Sequence, residues 1–163
     1  MDYFAHGFWS YILFHWIRRP IYAVLFGLLP DTVAWVPYIF YRLIIGDTFG
    51  APLVEQIPEW VFFMYGLGHS LIISAAVIII IAIAVRKIPY TMLAWPIAII
   101  IDLLTHTRDY LPTPFLWPVS DWKFPGISWG NGLFMIINYS LIILFLAWIY
   151  LKKQKRKKKS KKV

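Results

Sequence analysis

From Trp60 to Val85 the chain carries no Lys, Arg, Asp or Glu, and the segment ends in the block Val77-Ile-Ile-Ile-Ile-Ala-Ile-Ala-Val85. A bilayer crossing takes about 20 apolar residues, so this run alone directs the chain toward a membrane. Composition agrees: 60% of the 163 residues are apolar and 15% are charged, against about 45–50% and about 25% in soluble domains. Mean hydropathy is +0.66. These values exclude a disordered chain, a coiled coil and a soluble globular domain. The absence of cysteine excludes a disulfide scaffold and a Cys-ligated zinc site. The expected fold class is all-α: a polytopic integral membrane protein with four to six membrane-embedded helices.

The remaining spans are less uniform. Gly132 to Leu151 is a second clear one, with Trp148 and Tyr150 where an interfacial aromatic belt would lie. Tyr90 to Thr105 is shorter, and Pro96 bends it or marks its first turn. In the N-terminal third, Phe4–Trp16 and Ile21–Leu29 are each short for a span. They read as two short or tilted helices crossing together, with Pro30-Asp31 as a stop and Thr32–Ile45 as an interfacial or re-entrant helix. Asp2 and the lack of a small-residue cleavage site argue against a removable signal peptide.

The net charge of +8 comes from the end of the chain, since 9 of the 16 Lys and Arg lie within 152–163. The body, 1–151, therefore reads as one helical transmembrane domain and 152–163 as a polybasic cytoplasmic tail. Its basic residues fix topology by the positive-inside rule and can attract anionic lipid headgroups. No nucleic-acid partner is expected. With the tail inside, Arg86-Lys87 and Arg18-Arg19 also fall inside, while the N-terminus, Glu55 and Glu59 fall outside. The expected location is the inner (cytoplasmic) cell membrane, multi-pass, with a cytoplasmic C-terminus.

That orientation uses Lys and Arg alone, yet it gathers His6, Asp31, His69, Asp102 and His106 in the outer half of the membrane. Only His15 falls in the inner half. It lies nine residues from His6, half a turn out of phase on a helix, and reads as structural. An ionisable group inside a span usually has a partner or a task, and His69 is such a group, flanked by Gly66, Gly68 and Ser70. In Asp102-Leu-Leu-Thr-His106 the i, i+4 spacing puts both side chains on one helix face. Asp31, alternatively, caps the helix from Thr32, and Asp102 and His106 alternatively form a metal-free pair.

Imidazole and carboxylate without sulfur suit zinc first, with manganese or iron as alternatives. Such a metal polarises a scissile bond and acidifies water. Asp109 and Asp121 are the candidate catalytic carboxylates, as general base or orienting groups. No Gly-rich phosphate loop, GxSxG elbow or HExxH is present. The loop 112–129 holds four prolines and three tryptophans and reads as an interfacial lid, either packed without substrate contact or admitting an amphipathic substrate.

The order Ala5-His6-Gly7, Gly27-Leu-Leu-Pro-Asp31, Gly68-His-Ser-Leu71, Ile101-Asp-Leu-Leu-Thr-His106 and Phe115-Leu-Trp-Pro118 resembles the membrane-bound metal-dependent hydrolases. These are small bacterial and archaeal inner-membrane proteins that include a LexA-regulated member, and the likeness covers roughly residues 5 to 130. The resemblance implies metal ligation by His6, Asp31, His69 and Asp102 and metal-dependent hydrolysis; a phosphoester or lipid-linked substrate fits the outer-face location of the site. The histidine that the pattern expects four residues before Asp102 is Ala98, and His106 is the candidate replacement. The alternative is a non-enzymatic membrane protein whose His/Asp cluster binds a metal or proton, or forms a structural network.

Overall fold

The computed structural model describes residues 1–47, 50 and 52–160, the last two of these by backbone alone. Six α-helices follow one another: α1 Tyr3–Phe14, α2 Pro20–Ile44, α3 Glu59–Gly68, α4 Leu71–Val85, α5 Ala94–Thr105 and α6 Gly132–Ser160. Short 3-10 turns at Val54–Gln56 and Tyr90–Leu93 precede α3 and α5, and no strand occurs among the described residues. Two helices, α2 and α6, are long and apolar enough to cross a membrane, and α3 with α4 would make a third span. The structure thus supports two or three spans among six helices.

Two expectations about element boundaries are overturned. Pro30-Asp31 does not end a helix: α2 runs through Pro30 and Pro37 for 25 residues. A proline inside a helix removes one N–H and crowds the carbonyl four residues back, and within a packed helical bundle neighbouring groups absorb that loss. Here Pro30 is fully buried against neighbouring helices, and Thr32 donates from Oγ1 to the Leu28 carbonyl at 2.7 Å. The helix closes at Gly46, whose φ of +71° is the left-handed conformation that favours glycine.

The second correction is the reverse case. The charge-free run from Trp60 to Val85 is two helices, bent by 53° at His69-Ser70. Ser70 starts α4 as its N-cap, accepting from the Ile73 N–H at 3.1 Å. The backbone groups freed at the break find partners elsewhere. Trp95 donates from its indole to the Gly68 carbonyl at 2.7 Å, and the Leu71 N–H donates to the Phe115 carbonyl at 2.9 Å. Ser70 Oγ donates to the Trp117 carbonyl. Irregular backbone at membrane depth is stable only when surrounded by protein in this way. The loop 112–129 therefore has a packing role, and Trp117 lies over Gly66.

The core is built around α2, which contacts α1, α3 and α5. A side chain at Gly27 would collide with Ser10, so this glycine sets the close approach of α1 and α2. Ala34, Tyr38, Val61 and Tyr65 join α2 to α3, whereas Phe14, Ala23 and Ala94 join α1, α2 and α5. Helix α6 leans on α1 through Ile142 and Ile149. By contrast α4 buries only Ser74, and Ile79, Ile80 and Ile83 are exposed on it. An apolar face of this extent is covered by lipid in a membrane protein. Pro96 lies in the first turn of α5, and the polybasic segment continues α6 as helix to Ser160.

Candidate metal centre

Three elements bring the site together. Asp31 lies near the middle of α2, His69 at the bend between α3 and α4, and Asp102 in the last turn of α5. One ligand atom from each of the three lies within 4.8 Å of the others. His69 Nε2 is 3.4 Å from Asp31 Oδ1 and 3.4 Å from Asp102 Oδ2. His69 and Asp102 are fully buried, and Asp31 is nearly so. The Asp31 position differs from the sequence expectation, which put it at the outer end of a shorter helix.

The hydrogen bonds define the free valences. His69 Nδ1 faces the Tyr65 carbonyl at 3.1 Å. A carbonyl only accepts, so Nδ1 carries the proton and donates to it, leaving Nε2 with a lone pair in the neutral ring. The Tyr65 ring packs on the imidazole with centroids 3.9 Å apart and holds it in place. That lone pair meets two carboxylates, an arrangement that calls for a cation or a proton between them. His69 Nε2 and Asp102 Oδ2 are both buried without a hydrogen-bond partner. Ligands held by tetrahedral zinc at about 2.1 Å lie about 3.4 Å from one another, so the two separations from His69 fit such an ion.

His6 approaches Asp102 from α1. Its Nε2 is 2.8 Å from Asp102 Oδ1 and 4.0 Å from Asp31 Oδ2, and the residue is 2% exposed. The Met1 amino group contacts the same Asp102 oxygen. His106 is placed differently from the expectation. The α5 helix ends at Thr105, and His106 Nδ1 donates back to the Asp102 carbonyl at 3.0 Å. The same nitrogen is 3.5 Å from Asp102 Oδ1, and the ring stands beside the three-residue group as part of a cavity wall. Ala98 is buried in α5 one turn before Asp102.

The two proposed catalytic carboxylates lie elsewhere. Asp109 would return to the Asp102 face only if α5 continued, but α5 stops four residues short of it and Asp109 is exposed in a bend. Asp121 is exposed in the loop beside Lys123, whose ammonium burial lowers below the usual lysine range while Asp121 opposes the shift. Neither carboxylate lines the cavity at the cluster. His15 bonds the Ile12 carbonyl at 2.8 Å and meets Trp148 edge-on, apart from the cluster.

Sequence reasoning passed over the residues that support the site. Tyr65 sits one helical turn before His69, a spacing that could have marked it. Trp95 and Ser70 serve the helix break, and only Ser70, a capping residue before an apolar run, carried a local signal. No protein-family model, characterised protein or solved structure matches this chain.

Proposed function

We propose that the protein is a metal-dependent hydrolase embedded in the membrane, a divergent relative of the membrane-bound metal-dependent hydrolases. The observation that carries this reading is the unsatisfied pair of buried atoms, His69 Nε2 and Asp102 Oδ2, facing one point together with Asp31. His69, Asp31 and Asp102 would hold the ion, with zinc the first choice for nitrogen and oxygen donors. When bound, such an ion supplies Lewis acidity for hydrolysis.

The chain's own groups have separable roles. His6 fixes the orientation of the Asp102 carboxylate through Oδ1, as second partners of metal ligands commonly do. Tyr65 fixes the tautomer of His69. His106 lends its Nδ1–H to the Asp102 carbonyl and lines the cavity, so its Nε2 would be the acceptor for a proton from water, as a weak base because burial lowers its pKa. This replaces Asp109 and Asp121 in that role. The protein would lie in the inner cell membrane as a multi-pass chain, with its tail cytoplasmic and near anionic headgroups.

A metal-free structural network is the second reading. Asp102 Oδ1, which already pairs with His6 Nε2, favours it. Elemental mass spectrometry of the purified protein separates the two. About one zinc, manganese or iron per chain, lost in folded His69→Ala and Asp102→Ala, is the result the hydrolase reading expects, at the stoichiometry of a single structural or catalytic site. A wild-type protein that takes up no metal on reconstitution overturns it.

A further inference from the structure

A cavity of about 480 Å³ adjoins the cluster, with Asp31 and His106 in its wall. Its size falls within the about 300–1,000 Å³ of small-molecule sites. Asp31, Trp35 and Ile39 line it at i, i+4 and i+8 of α2, one stripe about 12 Å long at about 1.5 Å per residue. Ile39 stands five residues before the end of α2. The wall beside it comes from connections: Pro52 between α2 and α3, and Tyr110 and Trp129 between α5 and α6. The Tyr110 hydroxyl donates to the Pro52 carbonyl at 3.1 Å and ties these connections together. Ile39 and Tyr110 are 48% and 40% exposed, whereas the Asp31 side chain is 13% exposed. The cavity is thus closed at Asp31, mid-way along α2, and open at the loop end of the bundle. Among the described residues no Lys or Arg side chain lines it, while Asp2 and Asp31 do, and the Met1 amino group in its wall contacts Asp102. A divalent ion between Asp31 and Asp102 would balance their two carboxylates and leave no surplus charge for an anion. A phosphoester, charged at neutral pH, would enter an apolar passage without a basic partner, and burying an unpaired charge is costly.

We propose that this cavity is an entry passage from the loop end, and that its ligand is an uncharged carboxylic ester or amide with an apolar body. The carbonyl leads to the Asp31–His106 end, and the body trails past Trp35 and Ile39 toward the mouth. The substrate class rests on the hydrolase reading above; the direction of entry and the rejection of anions rest on the cavity alone. In the reaction, water adds to the carbonyl carbon, the C–O or C–N bond breaks, and the leaving oxygen or nitrogen takes a proton. The products are a carboxylic acid and an alcohol or amine.

The chain has no cysteine, so single cysteines report access directly. Full-length Ile39→Cys in phosphatidylcholine nanodiscs, freed of metal by chelator, is treated with water-soluble thiosulfonates carrying a trimethylammonium or a sulfonate. Val119→Cys, at a loop residue 77% exposed, gives the reference rates, and Ile80→Cys on the exposed face of α4 gives the lipid-covered floor. Ile39→Cys should react well above that floor. Its preference for the ammonium reagent should exceed that of Val119→Cys by about ten-fold, because a carboxylate-lined cleft concentrates cations. Reaction at the Ile80→Cys floor overturns entry from the loop end, and the reagent ratio of Val119→Cys overturns the rejection of anions. Zinc-loaded wild type is then given p-nitrophenyl butyrate, the more easily cleaved kind of acyl compound, beside p-nitrophenyl phosphate. A kcat/KM several-fold higher for the butyrate, lost in His69→Ala, is expected. Faster cleavage of the phosphate, or cleavage of neither, overturns the substrate class and leaves the metal reading standing. Wild type that retains no zinc overturns the metal reading, and the substrate class with it.

Discussion

Two stretches of this chain invert the ordinary reading of helix breakers. Helix α2 contains two prolines in its interior and runs on; the stretch from Glu59 to Val85 contains none and bends by 53°. The difference lies in what surrounds each. Around α2, three other helices pack on its length, and Pro30 costs one hydrogen-bond donor in a place where its ring is useful filling. At the α3–α4 bend, the Trp95 indole serves the Gly68 carbonyl, the Ser70 hydroxyl the Ile73 N–H and the Phe115 carbonyl the Leu71 N–H. Helix continuity in a bundle is thus decided by the partners available to the backbone, and residue propensity ranks second. The two stretches also meet, since Gly68 abuts Pro30, and the meeting point brings His69 to Asp31.

The comparison can be broken at that contact. A Cβ on Gly68 would lie 2.6 Å from the Pro30 carbonyl oxygen, backbone that cannot swing away. Gly68→Val should cost about 3 kcal/mol, the upper range of overpacking in a core, and should also separate His69 from Asp31. Thermal unfolding in detergent together with metal content measures both; a variant as stable as wild type would show that the close approach is dispensable. Removing the partner of the bend is the next largest effect. Trp95→Phe leaves the Gly68 carbonyl bare at a cost of about 1–2 kcal/mol, read as a lowered unfolding midpoint.

Ser70→Ala removes the cap of α4 and should cost about 1 kcal/mol. Its hydrogen-exchange signature is faster exchange at the Ile73 amide with α2 amides unchanged. The smallest effect belongs to α2 itself. Pro37→Ala, on the exposed side of the helix, should leave stability unchanged or raise it by under about 1 kcal/mol, because it restores a donor in a helix that already continues. A marked loss would mean that the ring at Pro37 is itself a packing element.

The all-helical class with long apolar helices, and the identity of the converging residues, were legible because both rest on composition. Charge-free runs admit few folds, and His6, Asp31, His69 and Asp102 are conspicuous within them. What escaped was whatever depends on contacts between segments. The bend at His69 is set by Trp95 and by the 115–117 backbone, remote in sequence. Pro30 was read by a local rule that packing overrode. Asp109 would share the Asp102 face only in a helix longer than the one that ends at Thr105, and Pro112 points to a nearby stop. Tyr65, which determines which nitrogen of His69 is bare, has no signature beyond its spacing.

The helix through the basic segment has a mechanical consequence. Lys152 stacks its ammonium 4.5 Å from the Trp148 ring centroid, and Lys153 reaches the Tyr11 hydroxyl at 2.9 Å, so the rod leaves the bundle with its root clamped. From Lys152 to Ser160 it rises about 12 Å, beyond the Debye length of about 8 Å at physiological salt. A stiff pole of this kind would meet a charged surface with its first turn and hold the later cations out in the electrolyte. Lowering ionic strength lengthens the reach of those outer charges, so any attraction of the tail to an anionic surface would be tuned by salt.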